Sequence, residues 1–456
     1  MSSTHPFQLL LLYVLLLVGE SSSQSTSGDQ ATLLAIKNEW GNPKQLASWD
    51  PAVNADHCDW IGVACEGAGG RRVVTGISLP SLHLNGKVPE SMCDLKNLTR
   101  LDLSYNNLIG GFPGAALYTC SQLRFLDLSF NSFHGALPGD ISRLSPAMEH
   151  LNLSSNHFGG AVPAALSGKI PAWVWQHQKL ESLYLGKNNL TGELPRKVTA
   201  VNLKEVDVSS SNLTGEIPED FGSLRNLSVL YMGVNQLTGT IPASMAMLPK
   251  LSVIWLYANK LSGELPPELG KHSPLTSLIV SINNLSGPLP ESLCANGKLD
   301  TISVFDNRFS GELPKNLGEC VSLSEIMMDS NCFSGKFPAK IWSLPKLAGL
   351  RLSIQNNSFT GALPATISEN IQVIEMSDNR FSGSFPTSAT GLYVFRADNN
   401  LLSGELPADM SKFANLVELS ISGNQLTGRI PASISLLQDI YSLNLRGNRL
   451  SGTIPS

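Results

Sequence analysis

The feature that most constrains this chain is a period. From Leu203 to Lys346 six segments of 24 residues follow one another in register, each reading LxxLxLxxNxLxGxxP, with Ile, Val, Met or Phe in place of some leucines. A segment this short cannot bury its apolar face alone, so the segments must stack on one another. The chain of 456 residues is therefore expected to form an elongated pile of coils, and the usual estimate of domain number from length does not apply.

Each letter of the repeat has a physical reading. The LxL core alternates with period 2, which gives a short strand whose leucines point inward and whose neighbours point outward. Fourteen positions carry the repeat's asparagine: Asn106, Asn131, Asn156, Asn188, Asn235, Asn259, Asn283, Asn307, Asn331, Asn357, Asn379, Asn400, Asn424 and Asn448. Ser211 stands in that place in a fifteenth full unit. A buried amide at the turn can bond the backbone groups that a sharp bend would orphan. The Gly and Pro that follow mark the second bend. The pattern is a leucine-rich repeat, and the expected fold is an α/β solenoid with a concave parallel sheet.

A net charge of −5 with 15% charged residues gives no basic footprint, so nucleic acid is not an expected partner. Residues 1–24 read as a secretory signal peptide: ten apolar residues run from Leu9 to Val18, and small Ser21 and Ser23 follow. Export is therefore expected, with no membrane-spanning stretch elsewhere in the chain. Seven Asn-x-Ser/Thr sequons fit that route: Asn97, Asn152, Asn189, Asn212, Asn226, Asn284 and Asn356. The repeat, rich in Asn-Leu-Ser/Thr, also generates such triplets by chance.

Cys93 with Cys120 and Cys294 with Cys320 fall just after the Pro of consecutive units, where neighbouring coils bring Cα atoms within disulfide range. Buried free thiols are the alternative for both pairs. Cys332 is left over beside Asn331, and no Cys/His spacing suggests a metal site. The register breaks at residues 163–171, where two Gly-x-x-Pro endings lie eight residues apart, as if units had been lost. The chain stops inside a unit at "SGTIPS", which is expected to leave an open carboxyl end with exposed core.

The "LTGxIP" or "LSGxLP" segment after the Asn, with 17 Gly-x-x-Pro endings, resembles plant extracellular leucine-rich repeats. That resemblance implies a right-handed plant-type superhelix over residues 73–456, with about 15 full units plus partial ones. Residues 25–72 resemble the helical amino-terminal cap of the same receptors. There Asp29 to Trp40 reads as an amphipathic helix, and "HCDWIGVAC" carries the family's cysteine pair, which implies a Cys58–Cys65 disulfide.

The units "ESLCANGKL", "GELPKNLGEC" and "FPAKIWSLPKL" look like HAESA and HAESA-like receptor kinases, of subfamily XI, which bind small secreted peptide hormones. Full-length members continue through a membrane span into a Ser/Thr kinase. The resemblance thus implies a receptor at the plasma membrane through a missing carboxyl-terminal span, with a co-receptor ectodomain of the SERK type. In that family an Arg-x-Arg pair clamps the ligand's carboxylate, and here the matching positions are Glu325 and Met327. The kinase tripeptide at Asp220, Phe221 and Gly222 lies on the convex part of a repeat without any companion motif, and is a coincidence. No catalytic residue or cofactor is expected in this chain.

Recognition is expected where the repeat varies, on the concave strand face. The outward positions supply Tyr184, Tyr231, Trp255, Tyr257 and Phe305, with Asp207 and Gly233 interleaved, as a groove floor for an extended peptide. Further along they supply Asp329, Arg351, Gln355, Glu375, Asp378, Arg396 and Asp398, which either orient a peptide's end or form a solvated face. A secreted inhibitor or decoy resembling polygalacturonase inhibitors is the alternative. Transcript sequence beyond Ser456 separates it from a receptor.

Overall fold

The computed structural model describes residues 28–67, 72–159, 168–346 and 351–455. The whole signal-peptide stretch and the first of the two crowded Gly-x-x-Pro endings lie outside the described residues. The chain forms two compact units, residues 1–212 and 213–456, and each is a leucine-rich-repeat solenoid built on parallel strands.

In the first unit, residues 28–39 are helical, and Leu33 and Ile36 lie fully buried. Beneath them Trp49 and Trp60 stack with ring centroids 6.2 Å apart. The Asp29 carboxylate accepts the Val74 N–H at 2.9 Å, which ties the helix to the first strand. The strand Val63–Glu66 runs antiparallel to Val73–Ser78 and closes that edge of the stack. From Val73–Ser78 the sheet continues in parallel through Arg100–Asp102, Phe125–Asp127, His150–Asn152, Ser182–Tyr184 and Glu205–Asp207. The crowded stretch around residues 163–171 does not interrupt it: Leu151 pairs directly with Leu183.

The second unit repeats the plan with parallel strands from Val229–Tyr231 to Ser442–Asn444. After the repeat's Pro several coils make a short 3-10 turn, as at Glu219–Ser223 and Ala243–Met247. In the coils where Phe replaces Leu the rings themselves stack, Phe309 on Phe333 at 6.0 Å and Phe333 on Phe359 at 5.8 Å. In the last coil Tyr441 is 91% and Ile454 85% exposed.

The asparagine ladder is present and fully bonded. Asn379 donates from Nδ2 to the Met376 carbonyl of its own coil at 3.2 Å and to the Ile354 carbonyl of the preceding one at 2.9 Å. Its Oδ1 accepts the Phe359 N–H at 2.9 Å. One side chain thus satisfies buried backbone groups of two coils, each of which would cost about 1–3 kcal/mol if left alone. Ser211, with its shorter arm, reaches only the Asn188 carbonyl at 3.3 Å.

The residue before each ladder position adopts a left-handed backbone, including the β-branched Val234 (φ 56°) and Ile282 (φ 56°). This conformation is unfavourable for such side chains, and the stack imposes it.

All three expected disulfides are formed, Cys58–Cys65, Cys93–Cys120 and Cys294–Cys320, with Cα atoms 5.6, 4.9 and 5.9 Å apart. Cys332 is an exposed free thiol. His57, Cys58 and Cys65 cluster closely, but the disulfide occupies both sulfurs. Among the described residues no helix is long and apolar enough to cross a membrane.

Candidate functional site: the outward face of the sheet

Up to Glu418–Ser420 the three-residue strands bury their central residue and turn the two flanking side chains outward, as Val253–Trp255 does with Ile254 at 1% exposure. Register then sets these side chains in columns. In the second unit Tyr231 pairs with Trp255 and Trp255 with Ile279. The Tyr231 and Trp255 rings lie 4.5 Å apart at 43°, and Trp255 donates from Nε1 to Ser277 Oγ at 2.9 Å. That bond satisfies the indole's polar edge and leaves its apolar body on the half-buried face.

The next column begins at Gly233, where a Cβ would come within 2.6 Å of the Tyr257 ring. Only glycine lets Tyr257 lie across the neighbouring coil. Tyr231, Trp255 and Tyr257 thus gather on adjacent coils. Phe305 stands apart, because the intervening coil places Ser281 in that column, 2% exposed and bonded to Ser303 at 3.1 Å. Tyr184 and Asp207 belong to the first unit. There Asp207 rests over Gly186, where a Cβ would lie 2.6 Å from its carboxylate, and the Tyr184 hydroxyl donates to Glu205. Burial, followed by that bond, raises the tyrosine's pKa well above its ordinary value.

The charged stretch differs from the expected open face. Glu375 is buried, at 4% exposure, and does not present itself to a ligand. It accepts from Arg351 Nε and from Arg396 Nη1. Arg396 is in turn held by Glu418 through Nε at 2.8 Å and Nη2 at 2.6 Å. Burial pushes the Glu375 carboxyl up, but the two guanidinium groups outweigh it and hold the group below its ordinary value. Asp398 is likewise engaged, accepting from Ser420 Oγ at 2.7 Å and from the Ser422 N–H at 2.7 Å. Gln355 accepts from Ser353 Oγ at 2.9 Å, and Asp378 from Asn399 Nδ2 at 2.8 Å. This stretch is a cross-strand ladder that largely neutralises itself, and Asp329 joins it through Ser353.

Sequence reasoning missed Glu418, and it missed a stack in the first unit. The Arg100 guanidinium lies 3.5 Å from the Phe125 ring centre, Phe125 stacks on His150 at 4.2 Å, and His150 meets Tyr184 at 5.5 Å. Reading the column before the central leucine, as well as the one after it, would have found Phe125 and His150. Burial holds the His150 pKa below its ordinary value.

Of the sequons, Asn97, Asn189, Asn212, Asn284 and Asn356 are exposed. Asn226 is half-buried, and its Oδ1 accepts from Lys250 Nζ at 2.7 Å. Asn152 stands on the strand face with Nδ2 donated to Asp127 at 2.9 Å. A glycan there would take one of the two Nδ2 hydrogens and crowd that bond.

Comparison with known proteins now bears on these columns. Residues 26–66 match the leucine rich repeat N-terminal domain, and residues 96–158, 179–199, 202–224 and 415–437 match leucine rich repeats. The crystal structure of the Arabidopsis receptor kinase HAESA, in complex with the peptide hormone IDA and the co-receptor SERK1, is 30% identical. It covers 94% of this chain and 87% of that one, with a TM-score of 0.60. The chain belongs to the plant leucine-rich-repeat receptor ectodomain family.

Within and beside that family, the Arabidopsis thaliana leucine-rich repeat receptor protein kinase EMS1 is 38% identical over 97 residues, 21% of this chain and 8% of EMS1. Polygalacturonase inhibitor 1 of the same plant is 35% identical over 101 residues, 22% of this chain and 30% of the inhibitor. The matched stretches thus span well under two thirds of these two relatives. The fold that receptor ectodomains and inhibitors share is a binding scaffold and is not catalytic.

Proposed function

We propose that this chain is the extracellular ligand-binding part of a plant receptor of the HAESA type, and that it holds a small secreted peptide along the outward sheet face of the second unit. The observation that carries the reading is the Tyr231–Trp255–Tyr257 cluster. Aromatic side chains anchored from adjacent strands offer large contact area at little entropic cost, which is what an extended peptide needs. The HAESA structure, a complex with a peptide hormone and a co-receptor, supports the same kind of ligand. In this reading a SERK-type co-receptor ectodomain contacts the later coils, and signalling belongs to a kinase part of the complete receptor.

The test is selection of peptides from a random 14-residue display library on the secreted chain, followed by affinity measurement on synthetic copies. Wild type should enrich a consensus, and the Tyr231→Ala, Trp255→Ala double variant, folded by circular dichroism, should lose it. Enrichment that survives in the double variant defeats the aromatic site. The inhibitor reading rests on the match to polygalacturonase inhibitor 1 and is tested by adding the chain to an active fungal polygalacturonase.

A further inference from the structure

Three consecutive coils of the second unit differ from the rest in the seven residues that precede the ladder position. Residues 228–234, 252–258 and 276–282 hold no Asp, Glu, Lys or Arg, whereas every other such segment from residue 99 to residue 447 holds at least one. Register joins the three into one band. Tyr231 pairs with Trp255 and Trp255 with Ile279, and at the far end of the strands the Val234 N–H bonds the Tyr257 carbonyl at 2.8 Å. At the strand entry Ser252 Oγ donates to the Ser228 carbonyl at 2.9 Å and Thr276 Oγ1 to the Ser252 carbonyl at 3.0 Å, so these hydroxyls are engaged within the band.

The rim of the band carries two costs at once. Val234 and Ile282 are 42% and 46% exposed, and each has left-handed backbone at φ 56°. Among the described residues they are the β-branched side chains in that conformation. Exposed apolar surface and left-handed strain both oppose folding, and the asparagine found at this position as Asn356 and Asn399 avoids both. Such an outlier on an exposed rim points to a role outside folding.

We propose that an uncharged, apolar stretch of the peptide crosses this band, and that Val234 and Ile282 touch it. The inference rests on the peptide reading above and adds the composition of the ligand and two contact residues beside the aromatic cluster. Three strands spaced about 4.8 Å apart carry the band over about 14 Å of the stack, and seven residues of strand give it a width of about 20 Å, so its area is about 300 Å². A stable interface between folded proteins buries roughly 800 Å² on each side, which is more than the band offers. An extended chain crosses about 14 Å in about four residues. A Lys or Glu in that stretch would lose water against Tyr231, Trp255 and Ile279 with no opposite charge to meet it. Charge returns on the next coil, at Asp300 and Asp306, where Thr301 pairs with Ser277 and the band ends.

The experiment extends the library selection. The consensus enriched on wild type should hold a run of about four uncharged, mostly apolar residues, and a synthetic copy with one Lys or Glu placed in that run should bind about ten-fold more weakly. Val234→Asn and Ile282→Asn, made separately, then part recognition from folding. Each should leave the unfolding midpoint unchanged or raised, and each should weaken the synthetic peptide about five-fold. A loss of affinity in a variant at least as stable as wild type cannot come from lost fold. A consensus with no charge-free run of four, or affinity within about two-fold of wild type in both asparagine variants, overturns the inference. The peptide reading survives either result as long as the Tyr231→Ala, Trp255→Ala variant loses binding. If wild type enriches nothing, both fall.

Discussion

The coils around Trp255 and the coils around Glu375 share one backbone plan and one asparagine ladder, yet their outward columns have opposite fates. Around Trp255 the side chains lean on one another and keep an apolar surface available. Around Glu375 the acid sinks to 4% exposure and draws two arginines over itself, so a face that reads as charged in sequence is spent internally. What an outward position leaves open is decided by its cross-strand neighbours, and the residue type alone does not settle it.

The largest effect should separate the two regions outright. Tyr231→Ala with Trp255→Ala is expected to weaken peptide binding by about 100-fold or more, about 3 kcal/mol. Titration calorimetry checks it, and an unfolding midpoint near wild type shows that the loss is one of contact. The reverse case is Glu375→Gln, which removes the charge that Arg351 and Arg396 share and turns an amide NH2 toward one guanidinium. It should cost about 2 kcal/mol of stability, less than for a fully buried pair because both arginines reach solvent. Peptide affinity should hardly change, and a large loss of affinity would merge the two regions into one site.

The same pair predicts a pH dependence with a definite sign. A carboxyl held below its unfolded value of about 4.3 contributes stability that is complete above that pH and is lost as pH falls through the folded value. Acid unfolding curves of wild type and Glu375→Gln should therefore converge on acidification. Smaller effects test the scaffold under both regions. Ser211→Asn should restore the missing rung and stabilise the first unit by about 1 kcal/mol, measured by denaturant unfolding. Ile282→Asn, which suits the left-handed backbone better, should stabilise the second unit by somewhat less than about 1 kcal/mol.

Much of this was legible in the sequence. The period placed the strands, the amides and the second bend, and Cys93, Cys120, Cys294 and Cys320 are bonded in the pairs that neighbouring coils suggested. The Tyr231–Trp255 contact followed from two outward positions one unit apart. What escaped was set by side-chain direction. Arg396 reaches both back to Glu375 and forward to Glu418, a choice made by rotamers and not by spacing. Arg100, Phe125 and His150 share the column before the central leucine, yet His150 meets Tyr184 diagonally, from the column after it. The left-handed residue before each ladder position is signalled where it is Asn356, Asn399 or Gly423, and is masked where Tyr105, Phe130, Val234 and Ile282 occupy it under compulsion from the stack.

Gly233 gives this face a means of retuning that a list of side-chain contacts would miss. Its missing side chain is what lets the Tyr257 ring lie down, so even an alanine there would tip the ring toward solvent. On the peptide-binding reading, such a change would reshape the groove through the Tyr257 ring while leaving the ladder intact. On that reading, residue 233 shapes ligand preference through a neighbour's ring and not through a side chain of its own.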